Sequence, residues 1–162
     1  MKIFIASDTH GHLTGLSRAL KIENKEKEID LFIHCGDLGV DVREIRDLID
    51  CPSHFIAGNN DFFTQLPREE KFSIGKYSVL LTHGHNYGVG LSINRLAYLA
   101  LQEGINIVMF GHTHVPVIEH FEGVWLVNPG SLTLPRQSNG RPSYIIMDVS
   151  DLGGVNFEIK YL

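Results

Sequence analysis

Ile3-Phe4-Ile5-Ala6-Ser7-Asp8-Thr9-His10 decides the architecture. Ile3 to Ala6 is a short apolar run that reads as a buried strand. The chain then turns polar and presents Asp8 and His10, two positions apart. In extended backbone such residues share a face and reach one cleft. In open α/β sheets, ligand sites form beyond the carboxyl ends of strands.

The same design recurs outward from there. Leu13 to Glu23 carries Leu13, Leu16, Leu20 and Ile22 on one side and predicts an amphipathic helix. Leu31 to Ile33 predicts a second strand, ending at Gly36-Asp37. Val42 to Ile49 predicts a second helix. His54 to Ala57 predicts a third strand, ending at Gly58-Asn59-Asn60-Asp61. Lys71 to Ile74 and Tyr77 to Leu81 flank Gly75-Lys76 as a hairpin, which runs into Thr82-His83-Gly84-His85. Leu91 to Gln102 predicts a long helix stopped by Gly104. Ile107 to Phe110 predicts a strand before Gly111-His112-Thr113-His114. Val117 to His120, Val124 to Val127, Ser143 to Val149 and Val155 to Tyr161 alternate as β, with a turn at Asp151 to Gly154. The expectation is an α/β fold over a single domain, residues 1–162, with two sheets and helices packed outside them.

Bulk properties narrow the function. The 162 residues carry a formal charge of −5, which disfavours a long polynucleotide partner. No apolar run reaches the ~18 residues of a membrane span, and the N-terminus turns polar too early for a signal peptide. With only Cys35 and Cys51 as thiols, the expectation is a cytoplasmic protein. There are nine histidines, six of them in the pairs His10/His12, His83/His85 and His112/His114.

Five strand ends thus deliver two carboxylates (Asp8, Asp37), an amide oxygen (Asn59) and four imidazoles (His10, His83, His112, His114) to one place. A mixed nitrogen and oxygen set without thiolates suits Mn, Fe, Co, Ni or Zn. Seven ligands exceed one tetrahedral ion and fit two ions that share a carboxylate, ~3.5–4 Å apart, able to clamp a phosphoryl group. His34 and His54 lie within strands and read as structural, His120 as inert, and Cys35 as a small apolar residue. The Tyr98, Leu99 and Leu101 cluster reads as core helix. The charged run Glu23 to Asp30 reads as a solvated helix end and loop.

In this order, Asp-x-His, Gly-Asp, Gly-Asn-x-Asp, Thr-His-Gly-His and Gly-His-Thr-His resemble the motifs of the calcineurin-like metallophosphoesterase superfamily. The short chain and Asn128-Pro129-Gly130-Ser131 resemble its YfcE-type phosphodiesterase branch. The resemblance implies a four-layer α/β/β/α sandwich of two mixed sheets. It implies that Asp8, His10 and His114 hold one divalent ion, that Asn59, His83 and His112 hold a second, and that Asp37 bridges them. Manganese is the leading candidate, with nickel, zinc, iron, cobalt or magnesium as alternatives. A hydroxide held by the metals would attack phosphorus in line. Asp61 is expected to orient ligands, and His12 and Ser131 to face substrate.

One departure bears on mechanism. Many members of the superfamily have histidine where this chain has Asn60, and an amide supplies no titrating proton. His12 and His85 are the candidate substitutes, and an activated leaving group such as nitrophenolate would need such help least. The expected activity is hydrolysis of small phosphodiesters. The competing readings are a phosphomonoesterase with the same site, and a protein-interaction scaffold of the kind the related retromer subunit provides. Homo-oligomers are compatible with either.

Overall fold

The computed structural model describes residues 1–162. The chain runs β1 (Lys2–Ala6), α1 (Thr14–Glu26), β2 (Leu31–His34), α2 (Val42–Arg46), β3 (Ser53–Phe55), β4 (Glu69–Ile74), β5 (Tyr77–Thr82), α3 (Asn94–Glu103), β6 (Ile107–Met109), β7 (Pro116–Phe121), β8 (Val124–Pro129), β9 (Ser143–Val149) and β10 (Val155–Tyr161). The strands make two mixed sheets, in the orders β10-β9-β1-β2-β3 and β4-β5-β6-β8-β7. In the first sheet β1, β2 and β3 are parallel, and in the second β5, β6 and β8 are.

The period-two alternation of β1 builds the layers. Ile3 and Ile5 point between the sheets, with Ile33, Leu81, Met109 and Met147. Phe4 and Ala6 point outward onto Leu16, Ala19 and Leu20 of α1. On the far side Leu80, Val108 and Leu126 pack beneath Leu96, Ala97 and Ala100 of α3. Each fully buried large side chain contributes roughly 1.5–3 kcal/mol. The result is the four-layer α/β/β/α sandwich, and no helix is long and apolar enough to cross a membrane.

Two of the helices are shorter than their sequence patterns. α2 stops at Arg46 rather than Ile49, because Leu48 and Ile49 continue only as i→i+3 turns. α3 starts at Asn94 rather than Leu91, because Gly84 and Gly88, both at positive φ, bracket a 3₁₀ turn over His85–Tyr87. Two surroundings also differ from expectation. Glu23 is not solvated: it shares the buried face of α1 with Leu16, Ala19 and Leu20, where Lys2 Nζ meets its carboxylate at 2.8 Å and Tyr144 donates to it at 2.7 Å. Tyr98 is 60% exposed and packs edge-on against Phe121 instead of in the core. His54 does seal the sheets together, stacked on Phe72 of β4 at 3.9 Å.

Candidate metal centre

The parallel strands of both sheets end at the same edge. β1 leads into Asp8 and His10, β2 into Asp37, β3 into Asn59, β5 into His83, and β6 into His112 and His114. All seven sequence-predicted ligands lie in one cluster. Asp8 Oδ1 is 3.1 Å from His114 Nε2 and 3.8 Å from His10 Nε2, and these two imidazole nitrogens are 3.2 Å apart. Asn59 Oδ1 is 3.1 Å from His83 Nε2 and 3.0 Å from His112 Nδ1. Asp37 Oδ2 reaches both groups, at 3.8 Å from His10 Nε2 and 3.4 Å from His83 Nε2. Asp8 Oδ1 also comes within 4.0 Å of His83 Nε2.

The local backbone is bent to make this possible. Asp8, His10, Asp37, His112 and His114 have φ of 54°, 45°, 55°, 71° and 59°. The only other non-glycine residue at positive φ is Glu122, at a hairpin tip. Left-handed backbone costs an L-residue free energy, least for Asp, Asn and His, and concentrates at functional sites. Here it turns five side chains inward just after their strands end. Two glycines keep the room: a Cβ on Gly58 would lie 2.1 Å from Asp37 Oδ1, and one on Gly111 would lie 2.0 Å from Ser7 Oγ.

The hydrogen bonds around the cluster fix which atoms face inward. His83 Nδ1 donates to the Cys35 carbonyl at 2.7 Å, and His114 Nδ1 to the Leu134 carbonyl at 2.7 Å. A carbonyl only accepts, so each Nδ1 carries a proton and each ring turns its Nε2 to the centre, where the neutral form offers a lone pair. Asp8 Oδ2 accepts from the His112 backbone N–H at 3.1 Å, whereas Asp8 Oδ1 is buried with no hydrogen-bond partner. Imidazole nitrogens and a carboxylate oxygen thus face one another at 3.1–4.0 Å. With the rings neutral, such a set is complementary to a cation. The donor set fits divalent metal ions by this test.

The carboxylates and imidazoles also compensate one another. Burial opposes the charge of Asp37, but His83 and two donors from Asn60 overcome it and hold its carboxyl below the usual carboxylate range. Burial also opposes a charged His83, yet Asp37 and Asp8 raise its pKa. Burial, with the neighbouring imidazoles, lowers His85 and His112.

Around the ligands the expected helpers separate. The Asp61 carboxylate accepts from the backbone N–H groups of Leu38, Gly39 and Gly58 at 3.1, 3.0 and 2.9 Å, tying the Asp37 loop to the Asn59 loop. Asn60 donates to Asp37 from its backbone at 2.8 Å and from its amide at 2.6 Å. The His85 ring lies 5.4 Å from that of His83 and 6.1 Å from that of His112. The His12 side chain is exposed. Ser131 does not face substrate. It is wholly buried, its hydroxyl donating to the Asp8 carbonyl at 2.8 Å and accepting from Thr133 N and Leu134 N. Since Leu134 receives the His114 proton, Ser131 steadies two candidate ligands from behind. Sequence reasoning missed Arg68, whose guanidinium donates to the Gly58 carbonyl and whose charge helps lower His85. No local pattern marks that contact; only the fold brings Arg68 there.

Comparison with known proteins adds an independent line. The model of the calcineurin-like phosphoesterase superfamily domain matches residues 1–152. A Bacillus subtilis protein named probable metallophosphoesterase YsnB is 32% identical over 97% of this chain and 90% of its own length. Phosphodiesterase MJ0936 of Methanocaldococcus jannaschii is 32% identical over 80% of this chain and 83% of its own. The solved structure of Vps29 complexed with zinc, from Entamoeba histolytica, shares the fold: TM-score 0.76, 24% identity, 99% of each chain covered.

Proposed function

Because the chain belongs to the calcineurin-like phosphoesterase superfamily, we propose that it hydrolyses small phosphodiesters with the help of two divalent cations. The observation that carries this reading is the inward convergence of the His83 and His114 Nε2 atoms on Asp8 Oδ1, which is buried without a hydrogen-bond partner. Asp8, His10 and His114 would hold one ion; Asn59, His83 and His112 the other; Asp37 would serve both. The donor set accepts several first-row ions, manganese among them, and availability decides between them. When bound, the ions supply positive charge opposite the phosphoryl oxygens and lower the pKa of water.

The chain's own groups do the rest. Asp61 holds the loops of Asp37 and Asn59 at fixed separation. Asn60 fixes the rotamer of Asp37 and offers a neutral donor at the rim. Water adds to phosphorus, one ester oxygen leaves and takes up a proton, and a phosphomonoester and an alcohol result. Asn60 cannot deliver that proton by titration, so good leaving groups react fastest. Seven filled ligand positions favour catalysis over a scaffold role. The two unpaired cysteines suit a reducing compartment.

The test is a screen of metal-reconstituted protein against diesters, monoesters and cyclic nucleotides. Metal-dependent turnover of diesters above monoesters is expected. Faster turnover of monoesters, or none of either, would overturn the reading.

A further inference from the structure

Asn60, which touches Asp37, also lines a cavity beside the centre. Phe62 and Phe63 follow Asn60-Asp61 directly, and their side chains are 72% and 105% exposed, while Phe4, Phe32 and Phe110 are fully buried. With Val40, Val42, Asn60 and Gln65 they line a space of about 440 Å³, within the ~300–1,000 Å³ of small-molecule sites. Asn60 belongs to both places: it lines this cavity, and its amide donates to Asp37 Oδ2 at 2.6 Å. On the other wall Gly39 presses on the His10 and Gly11 backbone, where a Cβ would come within 2.5 Å of the His10 carbonyl carbon. Asn60 and Gly39 therefore place the cavity beside two candidate ligands, Asp37 and His10.

Its chemistry selects an occupant. None of the 10 lining residues is Lys or Arg, and the one cation at the edge, Arg43, is engaged by the Asp41 carboxylate at 2.7 Å. Two exposed aromatic rings beside an amide suit a flat, uncharged ring that carries polar edges. We propose that Phe62 and Phe63 form a stacking subsite for the nucleobase on one ester arm of a nucleotide diester. The inference rests on the phosphodiesterase reading and names its substrate class. Aromatic side chains stack on any base face, and their removal weakens binding by ~5- to 150-fold per base.

The experiment compares thymidine 5′-(4-nitrophenyl) phosphate with methyl 4-nitrophenyl phosphate on metal-loaded protein. The leaving group is the same, so the ratio of their kcat/KM values reads the nucleoside arm alone. Wild type should favour the thymidine ester, and Phe62→Ala and Phe63→Ala should each cut the ratio ~5- to 150-fold. Phe63→Trp should keep it. A wild-type ratio near one, or a ratio that neither alanine variant changes, would overturn the subsite. If neither ester reacts, it is the phosphodiesterase reading that fails. Calorimetric binding of thymidine 5′-phosphate against methyl phosphate then decides the subsite. Tighter binding of the nucleotide by wild type than by Phe63→Ala supports it, and equal binding overturns it.

Discussion

Asp61 offers the sharpest separation between holding the loops and holding a metal. Its carboxylate accepts three backbone N–H bonds at 2.9–3.1 Å, and the residue is 8% exposed. Two of the donors, Leu38 and Gly58, belong to buried residues, while Gly39 is exposed. Asp61→Ala strands the two buried donors at roughly 1–3 kcal/mol each, so a loss of about 2–6 kcal/mol is expected, with water rescuing Gly39. Asp61→Asn can keep its oxygen towards Leu38 and Gly58 and turn its NH₂ to the exposed side, so it should lose only about 1–2 kcal/mol. The assay is urea unfolding of metal-free protein, read as the midpoint at constant slope. Because the same bonds fix the separation of Asp37 and Asn59, metal affinity measured by calorimetry should fall ~10- to 100-fold, the usual cost of losing a group that orients ligands. An Asp61→Ala protein with an unchanged midpoint would refute the hydrogen-bond accounting. A lowered midpoint with wild-type metal affinity would refute the coupling between the loops and the centre.

Two further outcomes follow from the same geometry. Asn60→His should flatten the dependence of log rate on leaving-group pKa, since general acid catalysis contributes ~10²–10⁴-fold and helps poor leaving groups most; an unchanged steep slope would remove Asn60 as its cause. His34 is buried and its pKa is lowered to about 4, chiefly by desolvation, with Asp8, Asp61 and Asp37 pulling the other way and His83 adding to the fall. Thr9 Oγ1 donates to the Leu38 carbonyl, so His34 Nε2 must be the donor to Thr9, while Gly36 N donates to His34 Nδ1. The neutral ring is satisfied and has no room for a second proton. Folded protein therefore binds fewer protons than unfolded between pH 6.5 and 4. Stability should be full above pH 6.5, fall by up to about 3 kcal/mol towards pH 4, and level off below. His34→Gln should remove that slope in urea midpoints, and an identical slope in both proteins would contradict the assignment.

The strands and the clustering of the candidate ligands were legible because both rest on short-range rules. Ile3 and Ile5 against Phe4 and Ala6 announce a strand between two layers, and a polar side chain after a buried run announces a strand end. What stayed illegible depends on distant partners. Ser131 looks exposed by chemistry and is buried because the Asp8 carbonyl and two backbone N–H groups use its hydroxyl. Glu23 sits in a charged run, yet the helical period turns it under α1 to meet Lys2 and Tyr144. Arg68 arrives through a loop with no periodic pattern. The left-handed backbone of the five ligands is likewise hidden, since Asp and His carry no such signal by themselves.

The central claim is that seven side chains hold two cations that share Asp37. Anomalous diffraction at the manganese edge, from crystals grown with manganese, reads it directly. Two peaks ~3.5–4 Å apart are expected, one against Asp8, His10 and His114 and one against Asn59, His83 and His112, with Asp37 between. A single peak, or peaks away from these residues, would contradict it.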